Sequence, residues 1–177
     1  MALILDGNGT MTVGNGDITG LATGALPSTV IGAGAVLQVV QAVTTTQTST
    51  TSNSFTDATG LSVSITPTSA SNKVLILSSV QYQIFRSAIE ATGSLQIVRN
   101  STAVFSQFNN SLAMEAGVST GSRIYFNGQW AGVYLDSPAT TSATTYKIQL
   151  RGDSATSFTV NAQTNNQSSI VVMEIAA

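Results

Sequence analysis

The sequence predicts an all-β protein whose strands form a two-sheet sandwich. Short runs of alternating apolar and polar residues recur along the chain, and Gly, Asn, Pro and Ser turn signals separate them at the spacing typical of a sandwich. Thr, Val and Ile are abundant, and their branched side chains fit a pleated sheet. No long amphipathic helix is visible. We therefore expect about nine or ten strands in a jelly-roll-like antiparallel β-sandwich, in preference to an up-and-down barrel.

Residues 1–35 are predicted to form an extended N-terminal β arm with turns. Gly7-Asn8-Gly9 and Gly14-Asn15-Gly16 are good tight turns, because Gly and Asn tolerate positive φ. The stretch 18–56 contains no charged residue and is too weakly patterned to form a core alone. We expect the arm to dock on neighbouring subunits through its apolar residues, namely Leu3, Leu5, Val13, Ile18, Leu21, Leu26, Val30 and Ile31.

Residues 36–177 are predicted to form the sandwich itself. The apolar run 36–43 is a strand, and the Thr/Ser tract 44–54 after it is either a loop or a polar strand. Alternation over 61–65 indicates a half-buried strand. The strongest strand is 73–85, and its start, 74–77, is apolar on both faces. Such a start is expected to lie between two layers, and core positions are assigned to Val39, Leu75, Leu77 and Ile148.

The second half of the chain contains further strand signals joined by turns. One hairpin is expected at Asn100-Ser101 and a second at Asn127-Gly128, since Asn-Gly between apolar runs is a strong hairpin signal. Runs around 146–150 and 158–162 are joined by 152–154, and a last strand covers 170–175. Residues 111–119 are predicted to hold one helical turn at most.

Composition excludes several classes of function. Only 8% of residues are charged, compared with about 25% in an average soluble protein, and no basic run exists to bind nucleic acid or an anionic membrane. Pro27 and several glycines interrupt 21–43, the only membrane-span candidate. Cys and His are absent, which excludes disulfides, Cys/His metal sites and the common nucleophile–base pairs. The eight acids are scattered, so an enzyme is disfavoured and no cofactor or metal is expected.

An aromatic group could form a surface for stacking sugars. Tyr125, Trp130 and Tyr134 are the candidate surface aromatic patch. Alternation places Trp130, Gly132 and Tyr134 on one face, which is either a wet patch or a second core layer or trimer interface. The opposite face, with Ala131, Val133 and Leu135, is expected to be core.

Several phrases resemble a β domain that recurs in bacteriophage virion proteins, including those of cyanophages. They are Gly34-Ala35-Val36-Leu37-Gln38-Val39-Val40-Gln41, Ile65-Thr66-Pro67-Thr68-Ser69-Ala70-Ser71-Asn72-Lys73-Val74-Leu75, Tyr134-Leu135-Asp136-Ser137-Pro138, Thr145-Tyr146-Lys147 and Met173-Glu174-Ile175. The resemblance covers about residues 34–177. It implies a trimeric β-sandwich used on fibres, spikes or capsid surfaces.

The expected function is that of a homotrimeric capsid cement or decoration protein, a non-enzymatic structural protein of the virion. Long tail fibres carry this domain after a long shaft, and no shaft precedes it in this sequence, which favours the capsid surface over the tail. The expected partners are the chain itself and the major capsid protein or other virion proteins, without nucleic acid or membrane. The alternative is a short tail fibre or spike that binds a host-surface glycan. A cell-surface or biofilm protein is disfavoured, because no signal peptide is evident.

Overall fold

The structure, a computed structural model, describes residues 4–5, 11–13, 16–17, 32–86, 90–106, 112–115, 124–153 and 157–177. Within these ranges all regular structure is β, and no helix has the length and apolar character needed to cross a bilayer. The strands, in chain order, are β1 (Ile4–Leu5), β2 (Met11–Val13), β3 (Gly16–Asp17), β4 (Val36–Thr44), β5 (Thr48–Thr50), β6 (Thr56–Ile65), β7 (Lys73–Arg86), β8 (Glu90–Arg99), β9 (Thr102–Ser106), β10 (Leu112–Glu115), β11 (Ile124–Asp136), β12 (Thr144–Asp153), β13 (Ser157–Val160) and β14 (Ser168–Ile175).

The strands from β4 onwards form two antiparallel sheets. Sheet I has five strands in the order β10-β8-β12-β6, and β9 also pairs with β8. Sheet II has six strands in the order β4-β14-β7-β13-β5, and β11 pairs with β7. β11 pairs with one edge of β7 along its whole length. β14 and β13 pair with successive parts of the other edge of β7. Strands β1, β2 and β3 form a separate small sheet.

The core lies between sheets I and II. Alternate residues of each strand point inward because the side-chain period of a strand is two. Sheet II contributes Val74, Ile76, Val80 and Ile84 from its central strand, and sheet I contributes the facing aliphatic and aromatic residues, among them Leu61, Val63, Ile65, Leu95, Ile97, Tyr146, Ile148 and Leu150. The predicted all-β sandwich is confirmed.

Individual strands follow the alternation closely. β7 covers the whole predicted strand 73–85 and ends one residue later. β8 and β9 form the predicted hairpin, and Asn100 at its turn has a φ of 53°, in the left-handed region that Asn tolerates. The tract 44–54, left open between loop and strand, contains the short strand β5. β4 begins at Val36, while the separate role of residues 1–35 stays a prediction.

The hairpin predicted at Asn127-Gly128 is wrong. Residues 124–136 form one strand, β11, which pairs with β7 along its full length without a register shift. Gly128 is required for space: a Cβ built on it would lie 2.5 Å from Cζ and Oη of Tyr82. Packing between strands therefore explains this glycine better than a turn does.

The helical turn expected within 111–119 does not form at 112–115. Leu112–Glu115 forms strand β10, which pairs with the first residues of β8. Residues 111 and 116–119 lie outside the described residues.

A network of buried side-chain hydrogen bonds, which the alternation of apolar residues does not predict, connects strands of sheet II. Asn161, with a φ of 53°, follows β13, and its Nδ2 donates to the carbonyl oxygens of Thr44 (3.0 Å) and Thr46 (3.2 Å). Ser168 Oγ donates to Asn161 Oδ1 at 2.7 Å and accepts from the backbone N of Gln81 at 2.9 Å. This small network joins β4, β7, β13 and β14 at the centre of sheet II.

Candidate assembly surface

The outward side of sheet II carries a continuous group of apolar side chains, which we call the apolar face. It comprises Val39 and Val43 of β4, Val171 and Met173 of β14, Leu75 and Leu77 of β7, and Val133 and Leu135 of β11. The pairing register places Val39 in one row with Met173, Leu75 and Leu135 across the four strands. In the next row Gln41 occupies the β4 position, and Val43 lies one row further, beside Ser169. Leu75 stands between Met173 and Leu135, and Leu77 stands between Val171 and Val133.

Several of these side chains are strongly exposed. Val133 is 61% exposed, Val39 55% and Leu135 49%, while Leu75 and Leu77 are half-buried. Core positions predicted for Val39, Leu75, Leu77, Val133 and Leu135 are therefore wrong, because these residues point away from sheet I. Ala131 is likewise exposed. The core position predicted for Ile148 is confirmed, since this residue is fully buried.

Amides and hydroxyls occupy the rest of the outward side of sheet II. Gln83 Nε2 donates to Asn127 Oδ1 at 2.8 Å, and Gln129 Nε2 donates to Ser79 Oγ at 2.6 Å. These four residues form a polar band between β7 and β11, which we call the amide band. Beyond it, the rings of Phe85 and Tyr125 stack with centroids 4.8 Å apart. The apolar face and the amide band contain no charged residue, and Lys73, at the start of β7, is exposed at the border of the apolar face.

The three residues of the candidate aromatic patch do not share a surface. Trp130 is only 4% exposed and points into the sandwich, where its ring contacts that of Phe105. Tyr134 is half-buried on the same side and also contacts Phe105. Tyr125 lies on the opposite side of β11 and is 55% exposed. Gly132 leaves room for the Trp130 ring, and that pairing of a glycine with a large ring was the sequence signal for an inward-facing side.

The outward side of sheet I is chemically different. Lys147 Nζ and Asp57 Oδ2 form an ion pair at 2.8 Å, and Gln149 Nε2 donates to Asp57 Oδ1 at 2.7 Å. Partial desolvation alone would raise the pKa of Asp57, but the bonds from Lys147 and Gln149 outweigh it and lower that pKa. Arg151 lies over the ring of Phe55 at 4.8 Å. This side therefore has the mixed charges of a solvated surface.

A buried carboxylate lies at one end of sheet II. Glu174 is fully buried, and its oxygens accept from Gln38 Nε2 (2.6 Å), Asn72 Nδ2 (2.6 Å), Thr68 N (2.7 Å) and Thr68 Oγ1 (2.8 Å). Desolvation would raise the pKa of Glu174, but these neutral donors together lower it. The carboxylate thus holds β4, the loop after β6 and β14 together.

A second buried carboxylate, Asp136, ends β11. Tyr146 Oη donates to its Oδ2 at 2.7 Å, and Arg99 Nη1 contacts both carboxylate oxygens at 2.8 and 2.9 Å. Burial and the bond to Asp136 raise the pKa of Tyr146. In this way β8, β11 and β12 are joined across the two sheets.

These carboxylates have the chemistry of structural anchors. Both are buried, and their oxygens already accept bonds from protein donors, which leaves them poorly placed to bind a metal or move a proton. In the described part of the chain, no group of three acidic side chains is close enough to hold a metal ion. The chemically distinctive surface is therefore the apolar face.

Most of the predicted docking residues of the N-terminal arm lie outside the described residues. Leu5 belongs to β1 and Val13 to β2. These two strands pair with each other in the small sheet, and β2 also pairs with β3. Leu3, Ile18, Leu21, Leu26, Val30 and Ile31 are outside the described ranges. Their role in docking stays a prediction.

Comparisons with known proteins gave matches only among solved structures. No family model and no curated protein matches the chain. The crystal structure of the infectious bursal disease virus VP2 subviral particle is similar at 15% identity and a TM-score of 0.33, over 78% of this chain and 32% of that one. The structure of the Gx strain of the same virus is similar at 15% identity and a TM-score of 0.32, over 80% and 41%. The chain thus spans a third to two fifths of the length of these proteins, and similarity at such scores assigns it no role.

Proposed function

We propose that this chain is a non-enzymatic structural protein of a virus particle, a homotrimeric capsid cement or decoration protein. The observation that carries the proposal is the apolar face. It is an exposed group of apolar side chains on a sandwich whose core between the two sheets is already buried. A face of this kind is typical of a protein that works in assembly with other subunits. The resemblance of residues 34–177 to bacteriophage virion domains supports the same class of function.

In this proposal, residues 36–177 form a knob and residues 1–35 form the docking arm. The arm is rich in Gly, Ala and aliphatic residues and carries few charges. Burial of such a segment in a groove between shell proteins therefore desolvates little charge. Three arms on one trimer bind together far more tightly than one arm alone, because the second and third contacts become intramolecular. Binding to the assembled head would then stabilise it by mass action.

The aromatic pair at the far end of sheet II favours a second candidate function. Tyr125 stacks on Phe85 and is exposed, and the amides of Gln83 and Asn127 lie next to it. Exposed rings beside amide groups suit the apolar faces and hydroxyls of a sugar. This arrangement supports a short tail fibre or spike that binds a host glycan, with Tyr125 as the member of the candidate aromatic patch that contacts it.

Copy number per particle distinguishes the two functions. We would quantify this chain against the major capsid protein in purified virions by mass spectrometry. Hundreds of copies support the cement function and contradict the tail fibre. A few dozen copies or fewer support the tail fibre, and a glycan screen with wild type and Tyr125→Ala would follow. Absence from particles contradicts both functions.

The docking arm is tested separately on reconstituted heads. Leu21→Asp and Leu26→Asp place charges within the uncharged stretch, and we expect them to abolish binding to heads that lack the protein. Ser64→Asp, on the solvated side of sheet I, is the matched control and should bind as wild type does. Normal binding by the arm variants would contradict the arm's role.

A further inference from the structure

The start of β7 is built for two layers but packs against one. Val74 and Ile76 point inward and are fully buried against sheet I. Leu75 and Leu77 point outward, and in the described part of the chain no second layer covers them. A strand that is apolar on both sides is typical of a sheet covered on both sides. This pattern favours a further, apolar layer over the start of β7.

We propose that this layer is a second copy of the same chain, and that the apolar face is the contact surface between copies. This inference deepens the proposed function, on which it rests for the homotrimer, by naming the surface through which the copies associate. In the homotrimer, the apolar faces of the three copies meet around the common axis, and each face contacts those of both neighbours.

The size of the surface fits such a contact. Four strands spaced about 4.8 Å apart make the outward side of sheet II about 19 Å wide, and the 14 residues of β7 make it about 45 Å long. The whole outward side of these four strands therefore covers roughly 860 Å², and the apolar face and the amide band occupy part of it. A stable interface needs about 800 Å² from each partner.

The chemistry of the surface fits a copy of itself better than a partner of another class. Aliphatic side chains have no preferred partner charge, and each amide of the amide band has both a donor and an acceptor. The surface thus complements itself, whereas the single cation at its border, Lys73, is far short of the basic patch that nucleic acid or an anionic membrane would need. The ion pair Lys147–Asp57 and Arg151 lie on the opposite side of the molecule, on sheet I.

The strands that border the apolar face point to the same conclusion. In the described residues, β11 pairs with β7 alone and β4 pairs with β14 alone. Neither strand contains Pro, Lys or Arg. The pairing of β11 with β7 has no bulge, whereas that of β4 with β14 has a register shift at Glu174 and Ile175, so β11 is the less protected edge. Edge strands that must stay single usually carry such protection. Copies packed around the apolar face would also keep foreign strands away from the β11 edge.

The first experiment measures the mass of the full chain by light scattering during gel filtration. We expect wild type to elute as a multiple of its 18.2 kDa chain. Val133→Lys and Leu135→Lys place a charge in the contact, and we expect each to weaken association on the order of 100-fold. Because both side chains are exposed, the fold should tolerate the change, and fluorescence of the buried Trp130 reports whether it does. Ser64→Lys, on the exposed side of sheet I, is the matched control and should keep the wild-type mass.

A second experiment gives an answer even if the lysine variants misfold. The chain contains no cysteine, so Val133→Cys and Ser64→Cys each introduce a single thiol. We expect a maleimide to label Val133→Cys slowly in the assembled protein and quickly after dilution to monomer, and to label Ser64→Cys quickly in both. A monomeric wild type, an unchanged mass in folded Val133→Lys, or equal labelling of the two thiols would overturn the inference.

The outcomes separate this inference from the proposed function. A monomeric chain present in hundreds of copies per head would overturn the contact between copies and leave the cement function standing. A chain that associates through Val133 and is absent from virions would do the opposite.

Discussion

Removing the buried carboxylate of Glu174 should destabilise the fold by a calculable amount. Its four hydrogen bonds come from Gln38, Thr68 and Asn72, and all three residues are remote from it in sequence. Glu174→Ala leaves these donors without an acceptor in a buried site, at about 1–3 kcal/mol for each group that water does not reach. We expect a total loss of about 3–5 kcal/mol, as for other broken buried networks.

Glu174→Gln should cost less, for a reason visible in the geometry. The Thr68 and Asn72 donors all approach Oε1, so the amide oxygen of Gln can take that place. The new NH₂ group then meets Gln38 Nε2, which also donates to the Thr66 carbonyl oxygen at 2.8 Å and cannot flip without losing that bond. One hydrogen bond is lost, so we expect a cost of about 1–2 kcal/mol.

Urea unfolding, followed by fluorescence of the single Trp130, measures both losses. All variants must be compared at one protein concentration, because association of copies would add to the apparent stability. Gln38→Ala and the double variant Gln38→Ala/Glu174→Gln complete a double-mutant cycle for the bond between these residues. Glu174→Ala within about 0.5 kcal/mol of wild type would refute the reasoning, as would a Glu174→Gln variant as damaging as Glu174→Ala.

Three further predictions follow from the buried contacts. Because the pKa of Glu174 lies below its ordinary 4.5 in the folded protein, the stability that its carboxylate contributes is complete above pH 4.5 and is lost as pH falls through the lowered pKa. As pH is lowered, the urea midpoint should therefore fall more steeply for wild type than for Glu174→Gln. Parallel curves for the two proteins would contradict this. Gly128→Ala forces a Cβ against Tyr82 and should cost about 1–3 kcal/mol in urea unfolding, whereas Gly32→Ala, with nothing within 4 Å, is the control and should be neutral; equal stability of the two would contradict the packing role. Tyr146→Phe removes the donor to Asp136 and should cost about 1–3 kcal/mol by the same measurement, an expectation that an unchanged urea midpoint would exclude.

Sequence alternation predicted the strands well because it reports a local geometry. The runs at 61–65 and 80–84 each alternate with a period of two, and β6 and β7 contain them. The turn at Asn100-Ser101 was also predictable, because Asn supplies the positive φ that the turn requires.

The Asn127-Gly128 prediction failed because a local turn signal competed with a packing requirement. Gly128 and Gly132 both lie on the inward side of β11, next to the rings of Tyr82 and Trp130. Two glycines four residues apart on the same side as a Trp indicate space for rings, and that pattern was present in the sequence. The buried carboxylates were less accessible to prediction, since the donors to Glu174 lie about 100 residues away or more.

Alternation separates the two sides of a strand but does not say which side faces the core. Leu75 and Leu77 are as apolar as Val74 and Ile76, so both sides of β7 looked interior. The structure supplies one of the two layers, sheet I, and leaves the apolar face outward. The wrong core assignments on β4, β7 and β11 thus fall together on one surface.

The distribution of charge explains why association should occur at that surface. Only 14 residues are charged, and Arg86, Asp136 and Glu174 lie buried in the sandwich, which leaves few charges for the exterior. Sheet I carries Asp57, Lys147 and Arg151 on its outward side, whereas the apolar face carries none. Transfer of a charge out of water is expensive, while transfer of an aliphatic side chain is favourable by about 25 cal/mol per Å². Burial of the apolar face therefore gains the hydrophobic term without a desolvation penalty for charge, and burial of the outward side of sheet I would incur that penalty.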